Sequence, residues 1–319
     1  MTIAYPIAGI DISSTTLDVA MLDAKGRFEA LSFANDKASA KKLAKLFTKK
    51  EVKLVVLEAT GGYEITVMAA LAAEAVPAAR INPRQVRFFA KGLGKLAKTD
   101  AIDARVLALF GERARPRPTE LPTAEQSRLA ALVLRRRQLV DMRTAEKNRI
   151  AKAPATELHS SLRRMIDGLA EEINTIEALI RELIANSEIM RVRRELLDSV
   201  PSLGPATIAV ILGRVPELGE RSTRVLRALI GVAPYNSDSG GTVGQRHIQG
   251  GRADVRQALY MAAQTGYRHN PTLKEFYDRL TLRGKCHKQA IVACIGKLIS
   301  IMNAVIKSGK PYDESRRAA

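Results

Sequence analysis

Residues 7–22 read IAGIDISSTTLDVAML. Two short apolar runs, 7–12 and 17–22, flank a Ser/Thr turn, a pattern that is typical of adjacent strands in a meander. Asp11 lies inside the first run, between two isoleucines. A carboxylate in a sheet costs several kcal/mol unless it is ligated or hydrogen-bonded, so Asp11 is a candidate functional residue.

Strand and helix patterns alternate along the first hundred residues. The stretch 27–35 continues the meander as a third strand, and the lysine-rich stretch 36–50 has the apolar spacing of a helix. A buried strand ends at Glu58, a glycine turn and an alanine-rich helix follow it, and 78–82 is a further strand. Two helical segments divided by glycines come next. Three antiparallel strands followed by β/α crossovers predict an α/β layer domain.

A proline-rich stretch, RPRPTELP at 115–122, interrupts this pattern. We place the α/β domain at 1–118, a helical region at 119–199 and a mostly α-helical C-terminal domain at 200–319. A helix predicted at 156–186 carries an apolar stripe formed by Leu162, Ile166, Leu169, Ile173, Ile176, Leu179, Ile180 and Leu183. The stripe is typical of an antiparallel coiled-coil arm, and also of two helices packed on the parent domain.

The composition indicates a polyanionic partner. The 319 residues include 51 Lys and Arg against 33 Asp and Glu, a formal net charge of +18. Such an excess attracts phosphate groups, so nucleic acid is the first candidate partner, although a well-solvated surface is an alternative explanation. Aromatic residues make up 4% of the chain and Trp is absent, so stacking of bases on aromatic side chains is disfavoured as the main mode of nucleic-acid recognition. We find no signal-like N-terminus and no apolar run approaching membrane-spanning length, so we expect a cytoplasmic protein without a membrane partner.

Three further carboxylates join Asp11 as candidates. Glu58 closes a buried strand, where side chains emerge at the carboxyl edge of a sheet. Asp100 and Asp103 lie three apart at the start of a helix and share one face, although capping and the helix dipole alone also explain them. Carboxylates gathered from two strands and a helix repel one another, and a hard divalent cation such as Mg²⁺ relieves that repulsion.

The order of these features resembles the RNase H-like fold of RuvC-type Holliday-junction resolvases. Four stretches resemble, more narrowly, the IS110 family of insertion-sequence transposases, also called recombinases: GIDISSTTLDVAML, LEATGGYE, INPRQVRFFAKGLGKLAKTDAIDARVLA and ALIGVAPYNSDSGG. The resemblance covers nearly the whole chain, and the four stretches occur in the family's order. The resemblance implies a RuvC-like DEDD domain, a coiled-coil region and a C-terminal transposase domain. It also implies that Asp11, Glu58, Asp100 and Asp103 are catalytic ligands of Mg²⁺ or Mn²⁺.

A serine nucleophile is also implied by the resemblance. The family's serine precedes the glycine of a Ser-Gly pair, which places it on Ser239, with Ser237 as the second choice. A serine that attacks DNA retains the phosphodiester energy in a covalent phosphoserine linkage, which a free 3′-hydroxyl later reverses. The glycines around it would let the DNA backbone approach closely, whereas a mobile surface loop is the plainer interpretation.

Nucleic-acid contacts are predicted at four further positions. Arg246, Arg252 and Arg256 suit bidentate binding of the scissile phosphate. Gly204, in the stretch VPSLGPATIAVILG, resembles the turn of a helix-hairpin-helix element, whose backbone N–H groups bind a phosphate at a helix N-terminus. A plain helical hairpin is the alternative, because Gly-Pro turns are common between helices.

The partners, too, follow from the resemblance. Family members are directed by a structured guide RNA, the bridge RNA, which pairs with donor and target DNA. They assemble as homodimers that pair into a tetramer, in which the carboxylates of one protomer face the serine of another. We therefore expect RNA-guided DNA strand cleavage and exchange by a nucleoid-associated bacterial or archaeal enzyme. The alternatives are a metal-dependent junction endonuclease in which water attacks, and a non-catalytic nucleic-acid-binding protein.

Overall fold

The chain forms two compact units, Met1–Leu121 and Pro122–Ala319. The structure is a computed structural model, and it describes residues 5–94, 100–153, 155–235 and 246–314, without the side chains of residues 100 and 101. The boundary between the units falls in the predicted proline-rich stretch. The predicted helical region therefore packs with the C-terminal part in one unit. The prediction that it is a separate functional domain ending at residue 199 stays a prediction.

A five-stranded sheet is the centre of the first unit. Its strands are β1 (Ile7–Ile12), β2 (Thr16–Leu22), β3 (Phe28–Ala34), β4 (Leu54–Glu58) and β5 (Ala78–Ile81). They lie in the order β3-β2-β1-β4-β5. The first three strands form an antiparallel meander, and β4 runs parallel to both β1 and β5. All five predicted strands are confirmed.

Helices cover both faces of this sheet. They are α1 (Lys37–Lys49), α2 (Ile65–Ala73), α3 (Pro83–Gly92) and α4 (Asp100–Ala114). Apolar residues of α1 and α2 pack with Ile10 and Leu57 on one face, and those of α3 and α4 pack with Val56 on the other. A mixed sheet in this strand order, covered on both faces, is the RNase H-like fold, which confirms the predicted fold class.

Two long helices form an antiparallel hairpin at the start of the second unit. α5 (Ala124–Ile150) begins with a capping box, in which the Thr123 hydroxyl accepts from the Gln126 N–H at 3.1 Å and the Gln126 side chain accepts from the Thr123 N–H at 2.9 Å. α6 (Thr156–Asn186) returns alongside and has the predicted bounds. Pro154, expected to end the first helix, lies outside the described residues.

The hairpin is buried only at its base. The buried residues of α6 are Leu169, Ile173, Ile176, Ile180 and Ile184. Leu179 was predicted on the apolar stripe but is 37% exposed. The buried positions follow one another at intervals of three or four residues, and this spacing leads from Ile176 to Ile180 without including Leu179. From Leu139 in α5 round the tip to Leu169 in α6, no described residue between the two is buried. Residues 140–168 therefore form an extension, called here the distal hairpin, and the base packs as the alternative interpretation expected.

The rest of the second unit is mostly helical, as predicted. Its elements are α7 (Glu188–Asp198), α8 (Pro205–Arg214), α9 (Thr223–Ile230), β6 (Pro234–Tyr235), β7 (His247–Ile248), α10 (Ala253–His269), α11 (Pro271–Leu282) and α12 (His287–Ser308). One apolar cluster joins the helices to the base of the hairpin. Gly204 ends the turn between α7 and α8 and is exposed, so a helical hairpin is present around it.

α12 corrects one expectation. By length and composition alone this helix is apolar enough to cross a membrane, with a mean hydropathy of 1.8 over its most apolar window. The prediction that no apolar run approaches membrane-spanning length is therefore wrong. The helix packs against α7, α9, α10 and α11 and buries residues along its whole length. Its position at the centre of the second unit explains its apolar composition, since the core helix of a globular unit passes the same test.

Thiol labelling tests this placement. Cys294 is fully buried, and burial raises the pKa of its thiol to about 11, whereas Cys286 at the start of α12 is exposed. Because the thiolate is the reactive form, a thiol reagent should label Cys286 in the native protein and reach Cys294 only after denaturation. Mass spectrometry of the digested protein measures both sites. Equal labelling rates in the native state would contradict the buried position of α12.

Candidate active site

Two predicted carboxylates lie side by side at one end of the sheet. β1 and β4 run parallel with Ile10 opposite Leu57, so Asp11 and Glu58 occupy the next position on each strand. Neighbouring strands lie about 4.8 Å apart, which sets the separation of the two backbones. Ile10 and Leu57 pack in the core beneath α1 and α2. Because side chains alternate along a strand, Asp11 and Glu58 point to the opposite face, which α4 covers.

Gly9 allows α4 to lie directly against β1. A Cβ built on Gly9 would be 2.1 Å from the carbonyl oxygen of Ala104, so no larger residue fits while the helix lies there. Further along α4, a Cβ built on Gly111 would be 2.9 Å from the side chain of Ile7, at the start of β1. α4 therefore runs antiparallel to β1, and its first turn lies at the end of the sheet where Asp11 is found.

This first turn carries the other two predicted carboxylates. Asp103 is half-buried, as are Asp11 and Glu58. Asp100 begins the helix, but its side chain lies outside the description. Among the described side chains there is no group of three His, Cys, Asp or Glu residues that could hold a metal ion. The fold thus brings Asp11, Glu58 and the start of α4 to one end of one sheet face, and metal binding by the four residues stays a prediction.

The loop after Glu58 is organised by a buried carboxylate. Glu64, only 3% exposed, accepts through Oε2 from the Thr60 hydroxyl at 2.9 Å and from the Gly62 N–H at 2.9 Å. Its other oxygen, Oε1, lies 3.3 Å from Nη1 of Arg80 on β5. Gly62 has a φ of +131°, a conformation that favours glycine. Glu64 therefore fixes the path of the chain immediately beyond Glu58.

Charge on Glu64 is favoured by these partners. Burial alone would raise the pKa of Glu64, but the hydrogen bonds from backbone N–H groups and from Thr60 outweigh it and hold the pKa below its ordinary value. The carboxylate is therefore ionised at neutral pH. It is a structural anion in the loop that follows the candidate catalytic Glu58.

Asn35 connects this loop to the turn after Asp11. Its side-chain Nδ2 donates to the Ser13 carbonyl oxygen at 2.8 Å and to the Tyr63 carbonyl oxygen at 3.3 Å. Ser13 follows β1, and Tyr63 lies in the loop that Glu64 holds. One amide side chain thus joins the two loops that follow Asp11 and Glu58.

Asn35, Glu64 and Gly9 were missed in the sequence. A glycine inside an apolar strand indicates a close backbone approach, so Gly9 carried a usable signal. Glu64 precedes an apolar helix, and in the sequence this position indicates only a residue at a helix start. Asn35 carried no signal, because its two acceptors are backbone carbonyls far away in the chain.

The predicted nucleophiles, Ser239 and Ser237, lie outside the described residues. The structure describes the two ends of the segment that carries them. β6 and β7 pair antiparallel with Tyr235 opposite His247, so the chain leaves and returns at neighbouring positions.

Glycines hold these two ends together. Gly231 has a φ of +80° at the end of α9, and a Cβ built on it would be 2.2 Å from the carbonyl oxygen of Gly250. A Cβ built on Gly251, whose φ is +71°, would be 2.3 Å from the Gly231 nitrogen. Backbone lies directly on backbone at this point, and no side chain separates the two ends.

Two arginines predicted to bind phosphate contact this region. Arg256 donates through Nη1 to the carbonyl oxygens of Ile230 and Gly250 at 3.0 and 2.7 Å. Arg252 forms a bidentate ion pair with Glu217, at 2.7 and 2.6 Å. Both guanidinium groups already have partners within the fold, while Arg246 is exposed. Phosphate binding by the three arginines, and by the N–H groups after Gly204, stays a prediction.

Two family models match most of the chain. A model of IS110 DEDD transposases, described as "Transposase", matches residues 8–153, and a model described as "Transposase IS116/IS110/IS902 family" matches residues 194–278. The chain belongs to the IS110 family of transposases. It is a DNA transposase or recombinase enzyme, as predicted. The four carboxylates lie in the first matched range, and both serines, the three arginines and Gly204 lie in the second.

Relatives of this IS110 chain include full-length matches. The pilin gene-inverting protein of Moraxella bovis is 27% identical over 96% of this chain and 97% of its own length. A 43.6 kDa protein of the insertion element IS110 from Streptomyces coelicolor is 30% identical over 50% of this chain and 38% of its own length. Among solved structures, RuvC of Thermus thermophilus is 16% identical and covers 36% of this chain and 100% of its own, with a TM-score of 0.29.

Replacing Glu64 by Gln tests its part in the site. The amide keeps only one acceptor oxygen, so its NH2 donor must face either the Gly62 N–H or Arg80, and the negative charge is lost. We therefore expect the free energy of unfolding to fall by about 2 kcal/mol at neutral pH. Since the pKa of the folded carboxyl is lowered, this advantage of the wild type declines as pH falls below the ordinary value of 4.5. Denaturant unfolding at several pH values measures both effects. Glu51→Gln, an exposed control, should change stability little, and a pH-independent difference would contradict this role of Glu64.

Replacing Arg256 by Ala separates its two possible uses. If the guanidinium supports the backbone, the substitution lowers the free energy of unfolding by about 1 kcal/mol, because the partly buried carbonyl oxygen of Ile230 and the exposed one of Gly250 lose their donor. The exposed Arg246→Ala variant removes the same charge and should leave stability unchanged. Denaturant unfolding and DNA-binding titrations are compared for both. Unchanged stability with weaker DNA binding by Arg256→Ala would favour the phosphate-binding prediction instead.

Proposed function

We propose that this transposase cleaves and exchanges DNA strands through a covalent phosphoserine intermediate, directed by a guide RNA. The observation that supports this most is the placement of Asp11, Glu58 and the first turn of α4 at one end of one sheet face. Carboxylates drawn from separate elements to one position, in a chain of this family, are suited to chemistry on a phosphate. The two rival functions would use the same fold differently and are distinguished by the experiment below.

Asp11, Glu58, Asp100 and Asp103 would hold divalent metal, Mg²⁺ or Mn²⁺. Carboxylate oxygens are the hard ligands that these ions prefer, and the half-buried positions of the three described members leave a face open to substrate. When bound, such ions supply charge stabilisation for the phosphate oxygens and for the entering and leaving oxygens. The protein's own contribution is to fix the carboxylates, which Gly9 does through α4 and which Glu64 and Asn35 do through the two loops.

Ser239 would supply the nucleophile. Its hydroxyl oxygen attacks the phosphorus and forms a Ser-O–P bond, while the bond from phosphorus to the 3′-oxygen breaks and the serine proton is finally carried by that 3′-oxygen. The number of phosphodiester-type bonds is unchanged, so a free 3′-hydroxyl can reverse the step with another strand. The pairing of β6 with β7, which brings the two described ends of the segment together, supports this role.

The carboxylates and the serine belong to different units of the chain, and we propose that one protomer's carboxylates act with another's serine. Homodimers that pair into a tetramer would provide this arrangement. The distal hairpin is suited to the protomer contact, since it exposes Met142, Leu158 and Met165 while burying no described residue. Met165, for example, is 55% exposed.

Donor DNA, target DNA and a guide (bridge) RNA would be the nucleic-acid partners. The net charge of +18 supports polyanion binding without distinguishing DNA from RNA. The related Moraxella bovis protein is named for inverting a pilin gene, which is a DNA rearrangement. A cytoplasmic, nucleoid-associated location would follow from such partners.

Trapping of protein-linked DNA tests the proposed chemistry. Purified protein with its guide RNA, donor and target DNA and Mg²⁺ should form an adduct that Ser239→Ala abolishes and that Ser237→Ala retains. Asp11→Asn should slow adduct formation on the order of 10²-fold or more, because charge stabilisation at the phosphate is weakened. Denaturing gels and mass spectrometry of the linked peptide measure the adduct. Free DNA ends without an adduct would indicate the junction endonuclease, and full activity of Asp11→Asn would indicate structural carboxylates.

A further inference from the structure

The exposed side of α1 carries a row of lysines. Lys37, Lys41, Lys45 and Lys49 follow one another at four-residue spacing, with Lys42 beside them, and all five are exposed. Four residues advance about 6 Å along a helix, so the row is about 18 Å long and inclined to the helix axis. The helix sequence, KASAKKLAKLFTK, contains no acidic residue. We refer to these five residues as the lysine row.

The other side of α1 is anchored in the core. Ala40, Leu43, Ala44 and Phe47 are all fully buried against the sheet and α2. The backbone that carries the lysine row is therefore held in place, and the row presents charges from fixed positions rather than from a fraying surface helix.

This arrangement is unfavourable for the helix itself. Like charges four residues apart repel, and Lys37 in the first turn opposes the helix dipole. No described carboxylate lies at ion-pair distance from the lysine row. The N-cap carboxylate of Asp36 is the nearest acidic group on α1, and the hydrogen bond from the Ser39 N–H and, to a smaller extent, the charge of Lys42 hold its pKa below the ordinary value. Lys50 and Lys53, just beyond α1, pair with Glu29 and Glu51 at 2.6 and 3.3 Å. In the α5–α6 hairpin, Arg136 pairs with Glu177 at 2.7 Å. Five exposed like charges on a fixed helix face, with no described carboxylate at ion-pair distance, favour an external counter-charge such as phosphate.

The lysine row begins at the candidate active end of the sheet. β3 runs antiparallel to β2, which runs antiparallel to β1, so β3 ends on the same side as Asp11. Asn35 follows β3 and bonds to the loops after Asp11 and Glu58. Lys37 lies two residues beyond Asn35. The row therefore starts beside these loops and leads away from them along the outer surface.

We propose that the lysine row binds the phosphate backbone of duplex DNA that flanks the reacting strand. The choice of DNA rests on the proposed function, while the row itself rests on the geometry of α1. A length of about 18 Å spans roughly five base pairs at 3.4 Å each, enough for several phosphates of one strand. Since lysines contact phosphates as point charges, this binding is independent of sequence.

Salt dependence of DNA binding tests the proposal. The full chain is titrated with a short mixed-sequence DNA duplex in EDTA, which prevents metal-dependent cleavage, over a range of salt concentrations. Lys41→Gln/Lys45→Gln should reduce the slope of log affinity against log salt by about 2, because each lost phosphate contact removes about 0.9. Lys50→Gln/Lys53→Gln removes the same charge from the same unit, but from lysines already paired, and should leave the slope unchanged.

A folding readout separates binding from a structural role. Because Lys41→Gln/Lys45→Gln removes repulsion within α1, its thermal unfolding midpoint should equal or exceed that of the wild type. Equal slopes for both double variants would overturn the proposal. A slope change seen only with a single-stranded or hairpin RNA, and not with the duplex, would also overturn it and assign the row to RNA. Neither result depends on adduct formation, so the row and the serine chemistry succeed or fail separately.

Discussion

The first unit depends on the contact between the backbone of β1 at Gly9 and the backbone of α4 at Ala104. No side chain lies between them, so α4 approaches the sheet more closely than two ordinary elements would. This approach decides where the first turn of α4 lies, and with it the position of Asp103. Asp11 and Glu58 are placed by strand register alone. In the candidate site, the position of Asp103 thus depends on the lack of a side chain at Gly9, whereas the positions of Asp11 and Glu58 depend on the register and alternation of the strands.

Much of the fold follows from the sequence because its patterns are strongly periodic. All five strands of the large sheet and the hairpin helices occur where alternation and helical spacing predicted them. The error at Leu179 arose because an eight-residue apolar stripe is wider than the face that packing actually buries. The apolar run of α12 is visible in the composition and was overlooked, whereas its burial among four other helices depends on the fold.

The candidate site was predicted less completely than the fold. Acidic residues are unusual in apolar strands, so Asp11 and Glu58 could be predicted as candidate catalytic residues. Glu64 and Asn35 were not, because their significance lies in the backbone groups they contact, which the fold alone assembles. Arg256 was predicted as a phosphate ligand from its residue type, and that stays a prediction. Its three backbone carbonyl acceptors could not be predicted, because the fold alone brings them together. The type of a residue reveals its charge, whereas the groups that its side chain contacts depend on the tertiary structure.

The distal hairpin has a consequence for how this architecture can vary. None of its described residues is buried, and Val140 at its base is the one described member that packs against the core cluster. Whole helical turns can therefore be added to or removed from both helices beyond Val140 with little penalty in folding. Seven residues in each helix change its reach by about 10 Å. The segment is therefore a spacer whose length can change while the packed core stays the same.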